Sequence, residues 1–185
     1  MELLNVGLSS WIIQDGNYAD FSVGQETQFA LEFYSPSLKS SECNRRSAVS
    51  LIGSQYQTCG QVVFRAEDVC VLDIGFLAYQ QDPPPHFTEG TWVEGEIYLG
   101  IDHFAYFEGL KNTPGMPQLT YNFRIHEILL ETTPWLTTAD ASGRKIMVRD
   151  EQNTSYREVS KTDAWNDDNE HAHYILRCVS TDGRI

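Results

Sequence analysis

The sequence is poor in basic residues, and this limits the partners that it can bind. It has 13 Lys and Arg against 26 Asp and Glu, which gives a formal net charge of −13 at pH 7. Binding nucleic-acid phosphates requires clustered cations, yet the adjacent basic pairs are Arg45-Arg46 and Arg144-Lys145 alone. The same shortage disfavours an anionic membrane surface. We therefore expect neither nucleic acid nor membrane as a partner, whereas the acidic charge would attract a basic protein.

Long apolar runs are also lacking. No stretch of about 18 apolar residues occurs, so the sequence predicts no membrane-spanning helix. The amino-terminal segment has neither the basic start nor the apolar stretch of a secretory signal. We therefore expect a cytoplasmic protein, and the sequence leaves its oligomeric state open.

Motifs of common enzymes and cofactor sites are missing. There is no Gly-x-Ser-x-Gly, no Gly-x-x-x-x-Gly-Lys-Ser/Thr and no His-Glu-x-x-His. Acyl transfer, nucleotide hydrolysis and zinc proteolysis therefore have no support from motifs, and the sequence predicts no cofactor.

The four cysteines are scattered, with no Cys-x-x-Cys pair to indicate a zinc or redox site. Cys70 and Cys178 lie within apolar strand patterns, and we expect them to be small buried residues of a reducing compartment. Cys43 and Cys59 flank a polar stretch, and they would close a loop as a disulfide if the protein were exported.

The clearest pattern that is present is a strand from Thr91 to Ile101, with apolar residues at every second position. One face consists of Val93, Gly95, Ile97, Leu99 and Ile101. The other face consists of Trp92, Glu94, Glu96 and Tyr98. We expect the aliphatic face to be buried and the aromatic and acidic face to point outward. Gly90, Gly95 and Gly100 allow this strand to bend or to be approached closely.

The whole chain reads as strands with little helix. About eight to ten strand patterns occur, and one short helix is predicted directly after Ile101. This content predicts an all-β, mainly antiparallel fold that forms a barrel or a sandwich. The strand order is similar to that of the five-stranded oligonucleotide/oligosaccharide-binding barrel with additions, a resemblance of fold that carries no functional residues. We expect one β-rich domain over residues 1–185, with a flexible loop at 35–58 and a polar hairpin appendage near 144–161.

One predicted strand changes face along its length. Within residues 119–132, the apolar positions up to Ile125 share one parity and those from Ile128 onward share the other. The switch predicts a β-bulge near His126 and Glu127.

Outward-facing aromatic residues give the leading functional hypothesis, because Trp and Tyr side chains dominate the energetics of protein interfaces. The predicted binding residues are Trp92, Glu94, Glu96 and Tyr98 on the outer face, with Tyr106 and Trp135 at strand exits. We interpret the protein as a non-enzymatic module that docks on a basic or polar protein surface, and an inhibitor or immunity-type protein is one instance. Alternatively, the loop or the hairpin covers this face and makes it a second core.

A metal-dependent enzyme is a second hypothesis. His171 and His173 are two residues apart, so in an extended chain both imidazoles point to the same side. Asp168 could complete a mixed nitrogen and oxygen site with them. Solvated histidines next to an acidic loop explain the same residues without a metal.

The pair Asp102-His103 offers an acid/base alternative, with His126 and Asp73 as distant partners. A carboxylate beside an imidazole can tune a general base, although Asp102 could equally cap the predicted helical turn. In a third hypothesis the protein is a structural subunit, and its aromatic face is a seam between copies of the chain.

Overall fold

The computed structural model describes residues 3–185, and strands form most of its regular structure. The strands are β1 (Leu4–Ser9), β2 (Glu26–Tyr34), β3 (Lys39–Ser40), β4 (Ser47–Ser50), β5 (Gln55–Arg65), β6 (Val69–Asp73), β7 (Leu77–Gln81), β8 (Trp92–Ile101), β9 (Thr120–Glu131), β10 (Trp135–Ala139), β11 (Lys145–Arg149), β12 (Tyr156–Val159) and β13 (His173–Ser180). Within this range the helices are α1 (Ser10–Gln14) and α2 (Ala105–Glu108), with 3-10 turns at Leu110–Asn112, Glu151–Asn153 and Asp167–Glu170.

Eight strands close into a mixed β-barrel in the order β9-β13-β1-β8-β5-β6-β7-β2 and back to β9. Neighbouring strands are antiparallel except for β1 with β8 and β2 with β7. β2 and β8 also pair with each other. This pairing divides the closed path into two parts, with β9, β13 and β1 on one side and β5, β6 and β7 on the other. The predicted all-β, mainly antiparallel barrel is confirmed, and its closed path has eight strands where the oligonucleotide/oligosaccharide-binding barrel has five.

β8 has the predicted alternation of buried and outward-facing residues. Val93, Ile97, Leu99 and Ile101 are each 1% exposed or less and lie in the main core. Burial of each such side chain stabilises the fold by about 1.5–3 kcal/mol relative to its exposure. Their burial directs the alternate residues of β8 out of the barrel, as the sequence indicates.

Gly95 lets another segment cross β8. Its φ is +146°, and a Cβ placed there would lie 2.8 Å from the carbonyl oxygen of Ser37. The crossing segment then pairs as β3, with Lys39 opposite Glu94. A side chain at this position would therefore block the approach that covers this part of β8.

α2 and the turn after it cover part of the outer surface. They pack on the barrel through a second apolar cluster, which consists of Ala30, Phe64, Val69, Val71, Tyr79, Tyr106, Leu110 and Leu119. Helical structure after Ile101 agrees with the sequence prediction. α1 was not predicted, because the apolar run Trp11-Ile12-Ile13 has the length and composition of a strand.

The segment 35–58 contains β3, β4 and the start of β5, and a disulfide joins Cys43 to Cys59. Cys70 and Cys178 are free and buried, as expected.

Around residues 144–161 the strand pairing differs from the expected hairpin. β11 pairs with β10, whereas β12 joins β9 at an edge of the large sheet.

The predicted bulge is present in β9. Glu127 lies opposite Arg177, and Ile125 lies opposite Cys178, so His126 is the extra residue of the longer strand. Within residues 3–185, neither helix has the length or the apolar character needed to cross a bilayer.

Candidate functional site

A groove of about 490 Å³ lies on the outer side of the β2–β8 pair. Its walls and floor include Trp11, Tyr34, Tyr98, Gly7 and Gly100, and Glu32 and His103 lie at its more buried part. We call this feature the aromatic groove.

Strand register explains why these residues meet. Tyr34 of β2 lies opposite Tyr98 of β8, and two residues along the pair Glu32 lies opposite Gly100. Because side chains alternate across a strand, all four positions share the outer face. Gly100 in turn pairs with Gly7 of β1. Two adjacent positions without side chains therefore leave room for the groove between its aromatic walls.

The aromatic walls are open to solvent. Tyr34 is 63% exposed, Trp11 is 48% exposed and Tyr98 is 45% exposed. The segment before β3 crosses β8 at Gly95, whereas the Tyr98 end of the same strand stays exposed. Exposed aromatic side chains grouped in one concave surface are typical of binding sites.

A hydrogen-bonded cluster of polar side chains lies at the inner part of the aromatic groove. Nδ1 of His103 is 2.8 Å from Oε2 of Glu32. The hydroxyl of Tyr79 is 2.5 Å from Oδ1 of Asp102 and 3.2 Å from Oε2 of Glu32. We call these four residues the carboxylate cluster; Asp102 itself is fully buried.

Burial shifts the protonation of the two carboxyl groups in the carboxylate cluster. It raises the pKa of Glu32, although the hydrogen bond from His103 opposes the rise. It likewise raises the pKa of Asp102, against the hydrogen bond from Tyr79. The Tyr79 hydroxyl has one proton for two carboxylates, so it can donate to one of them while both are ionised. The cluster is therefore suited to holding a shared proton or a bound cation.

The backbone next to the cluster is held in an uncommon conformation. Phe104 has a φ of +88°, in the left-handed region that a bulky residue rarely adopts. The turn lets the backbone N–H of Tyr106 donate to Oδ1 of Asp102 at 3.1 Å. Such conformations are often found at functional sites, where the surrounding structure compensates for their energy.

The residues predicted on the outer face of β8 differ in accessibility. Trp92 is half-buried, and Glu94 lies 3.8 Å from the Lys39 ammonium of β3. Glu96 is exposed and accepts a hydrogen bond from Gln55 at 2.7 Å. Tyr98 alone of these predicted residues lines the aromatic groove.

The two aromatic residues predicted at strand exits do not join Tyr98. Tyr106 is 5% exposed and packs in the second apolar cluster, so it cannot contribute to a docking surface. Trp135 is 38% exposed, but the Arg149 guanidinium lies 3.9 Å from its ring centre. Its Nε1 also donates to the Asp168 carboxylate at 3.3 Å. Its ring is therefore already used within the chain.

The proposed metal ligands His171, His173 and Asp168 are not brought together. The Asp168 carboxylate pairs with Arg149. Nδ1 of His173 lies 3.3 Å from the Ser9 hydroxyl. Among residues 3–185, the group whose ligand atoms could hold a metal ion is instead Glu32, Asp102 and His103, within 4.8 Å of one another.

Asp102 and His103 do belong to one site, but with partners that the sequence analysis did not identify. His126 is the exposed bulge residue of β9, and Asp73 pairs with Arg46 at 2.9 Å. Glu32 and Tyr79, and not His126 and Asp73, are the partners of Asp102 and His103. Glu32 is a partly buried residue of β2, but no local signal in the sequence connects it with a pair about 70 residues away.

Comparison of the chain with family models, with curated proteins and with solved structures found no match.

Proposed function

We propose that this protein is a non-enzymatic binding module that docks on a basic protein surface through the aromatic groove. The observation that carries the proposal is the exposed pair Tyr34 and Tyr98, held side by side next to Glu32. The groove thus combines aromatic faces with a carboxylate, which is the chemistry that recognises Lys and Arg side chains.

The charge of the molecule supports the same partner. A net charge of −13 accelerates the approach of a cationic protein and slows the approach of an acidic one. Exposed tyrosines then give the contact its area at low entropic cost, since each has few rotatable bonds. An inhibitor or immunity-type antagonist of a cationic protein is one instance of such a module.

The test is calorimetric titration of the purified protein with short Arg-rich peptides at several salt concentrations. We expect binding that weakens as salt rises, because exposed charges are screened. Tyr34→Ala combined with Tyr98→Ala should weaken it by about tenfold, from two cation–π contacts of about 0.5–1 kcal/mol each.

Trp165→Ala provides the matched control, because Trp165 is 57% exposed and lies outside the aromatic groove. It should leave the peptide affinity unchanged. Equal losses in the control and in the tyrosine variant, or an affinity that does not respond to salt, would argue against docking at this groove.

Two alternatives keep specific observations in their favour. The Tyr34 and Tyr98 pair could be a seam between two copies of the chain, and sedimentation of a strict monomer at high concentration would exclude that. The pair of Glu32 with His103 could serve acid/base chemistry, because a carboxylate on Nδ1 orients the imidazole. A substrate hydrolysed by the protein but not by His103→Gln would favour the enzyme.

The disulfide between Cys43 and Cys59 is evidence about the cellular compartment of the protein. A bond between Cys43 and Cys59 persists where conditions are oxidising, whereas cytosolic thiols are kept reduced. We therefore favour an oxidising compartment over the cytoplasm expected from the sequence.

A further inference from the structure

We propose that Glu32, Asp102 and His103 bind a divalent transition-metal ion at the inner part of the aromatic groove. The inference shares Glu32 with the docking proposal, but it is argued from the carboxylate cluster and not from the exposed tyrosines, and it is tested without a peptide. It also differs from the metal site predicted from the sequence, which used His171, His173 and Asp168.

The first argument is the geometry of the donor atoms. One ligand atom from each of the three residues lies within 4.8 Å of the other two. Nδ1 of His103 and Oε2 of Glu32 are 2.8 Å apart. Ligands at about 2.1 Å from a metal and at right angles to one another are roughly 3 Å apart, so this spacing fits neighbouring positions around one ion.

The second argument is an unpaired oxygen. Asp102 is 0% exposed, yet its Oδ2 has no hydrogen-bond partner in the described part of the chain. A buried carboxylate oxygen without a partner is costly, by several kcal/mol or more if the group is ionised. A cation bound to it would remove that penalty.

A further polar atom near the cluster lacks a partner. Within residues 3–185, the buried Tyr18 hydroxyl makes no hydrogen bond. It lies close enough to Asp102 and Glu32 for their charges to raise its pKa, although burial is the larger cause. A water molecule on a bound ion could donate a hydrogen bond to this hydroxyl oxygen.

The donor types select the class of metal. Two carboxylates and one imidazole form a mixed oxygen and nitrogen set, which suits Zn²⁺, Co²⁺ or Mn²⁺, whereas Ca²⁺ and Mg²⁺ prefer oxygen alone. A divalent ion would also balance the two carboxylates. Glu32 and His103 line the groove, so an ion can reach them from solvent.

Tyr79 is a positioning residue in this arrangement. Its hydroxyl donates to Oδ1 of Asp102, as does the backbone N–H of Tyr106, and these bonds leave Oδ2 for the metal. Partners that orient metal ligands typically change affinity by about 10- to 100-fold when they are removed. Tyr79→Phe should therefore lower the affinity for the metal ion by about that factor without removing a ligand.

The experiment is titration of the metal-free protein with Co²⁺, followed by visible absorption, and with Zn²⁺, followed by calorimetry. We expect one ion per chain, a ligand-field spectrum that indicates nitrogen coordination, and Zn²⁺ bound more tightly than Mg²⁺ or Ca²⁺. His103→Gln and Asp102→Asn should each abolish the spectrum, and circular dichroism should verify that each variant folds.

Glu96→Gln is the control, because it also removes one carboxylate from the outer face of β8 but lies outside the carboxylate cluster. It should bind like the wild type. If Asp102→Asn does not fold, Glu32→Gln tests the same site at a less buried ligand. Absence of stoichiometric binding, equal binding of Ca²⁺ and Zn²⁺, or equal loss in Glu96→Gln would each overturn the metal site.

Discussion

Asp102 is the residue on which the inner part of the site depends. It is fully buried, and its donors include the Tyr79 hydroxyl and the Tyr106 backbone N–H. Burial nevertheless raises the pKa of Asp102, so its hydrogen bonds offset only part of the loss of hydration. Removing a donor should therefore lower the stability of the whole fold.

We predict that Tyr79→Phe lowers the free energy of unfolding by about 1–3 kcal/mol, because it removes one of the hydrogen bonds to a buried carboxylate oxygen. Urea unfolding of the metal-free protein measures this change. Tyr34→Phe, which removes an exposed hydroxyl, should stay within about 0.5 kcal/mol of the wild type. Similar stabilities of the two variants would indicate that the Tyr79 hydroxyl does not support Asp102.

At the scale of the element, β8 has two glycines with different roles. Gly95 has a positive φ and is approached by the backbone of Ser37. Gly100 has no such φ, and the nearest atom to a Cβ there is Cγ of Glu32 at 3.6 Å, an ordinary contact. The first glycine is required by the backbone, whereas the second leaves space in the groove.

We predict that Gly95→Ala destabilises the protein by about 1–3 kcal/mol, since the added Cβ meets the Ser37 carbonyl in a strained conformation. Gly100→Ala should change stability by about 0.5 kcal/mol at most. Urea unfolding of the two variants compares them on the same strand. A tolerated alanine at Gly95 would show that the segment before β3 can move away.

The sequence predicts correctly those elements in which the pattern of apolar residues reflects the burial of one face. The alternation in β8 and the parity switch at His126 both follow from burial of one face, and both are present in the structure. α1 was missed because one turn of helix has too few residues to establish a period. Tyr106 was expected on the surface, but α2 turns it onto Leu119.

At the scale of the molecule, the groove is a product of topology. β2 and β8 are separated by most of the first half of the chain, and their pairing brings Glu32 beside Asp102 and His103. Strand order and register are set by many non-local contacts, so a single sequence does not reveal such a meeting. The candidate residues Asp102, His103 and Tyr98 were identified, but their partners were not.

The acidic surface acts on the whole molecule and not on one contact. A charge of −13 would attract a cationic partner to every face, so affinity alone does not show where docking occurs. In the proposed function, the charge accelerates the encounter, and the aromatic groove determines where the basic partner binds.

The most direct test of docking at the aromatic groove is a map of amide and side-chain chemical shifts during titration with an Arg-rich peptide. We predict that the largest changes fall on Tyr34, Tyr98, Gly100 and the Trp11 indole, and that they persist at moderate salt. Changes spread over the acidic surface, or centred on Trp165, would contradict the groove as the docking site.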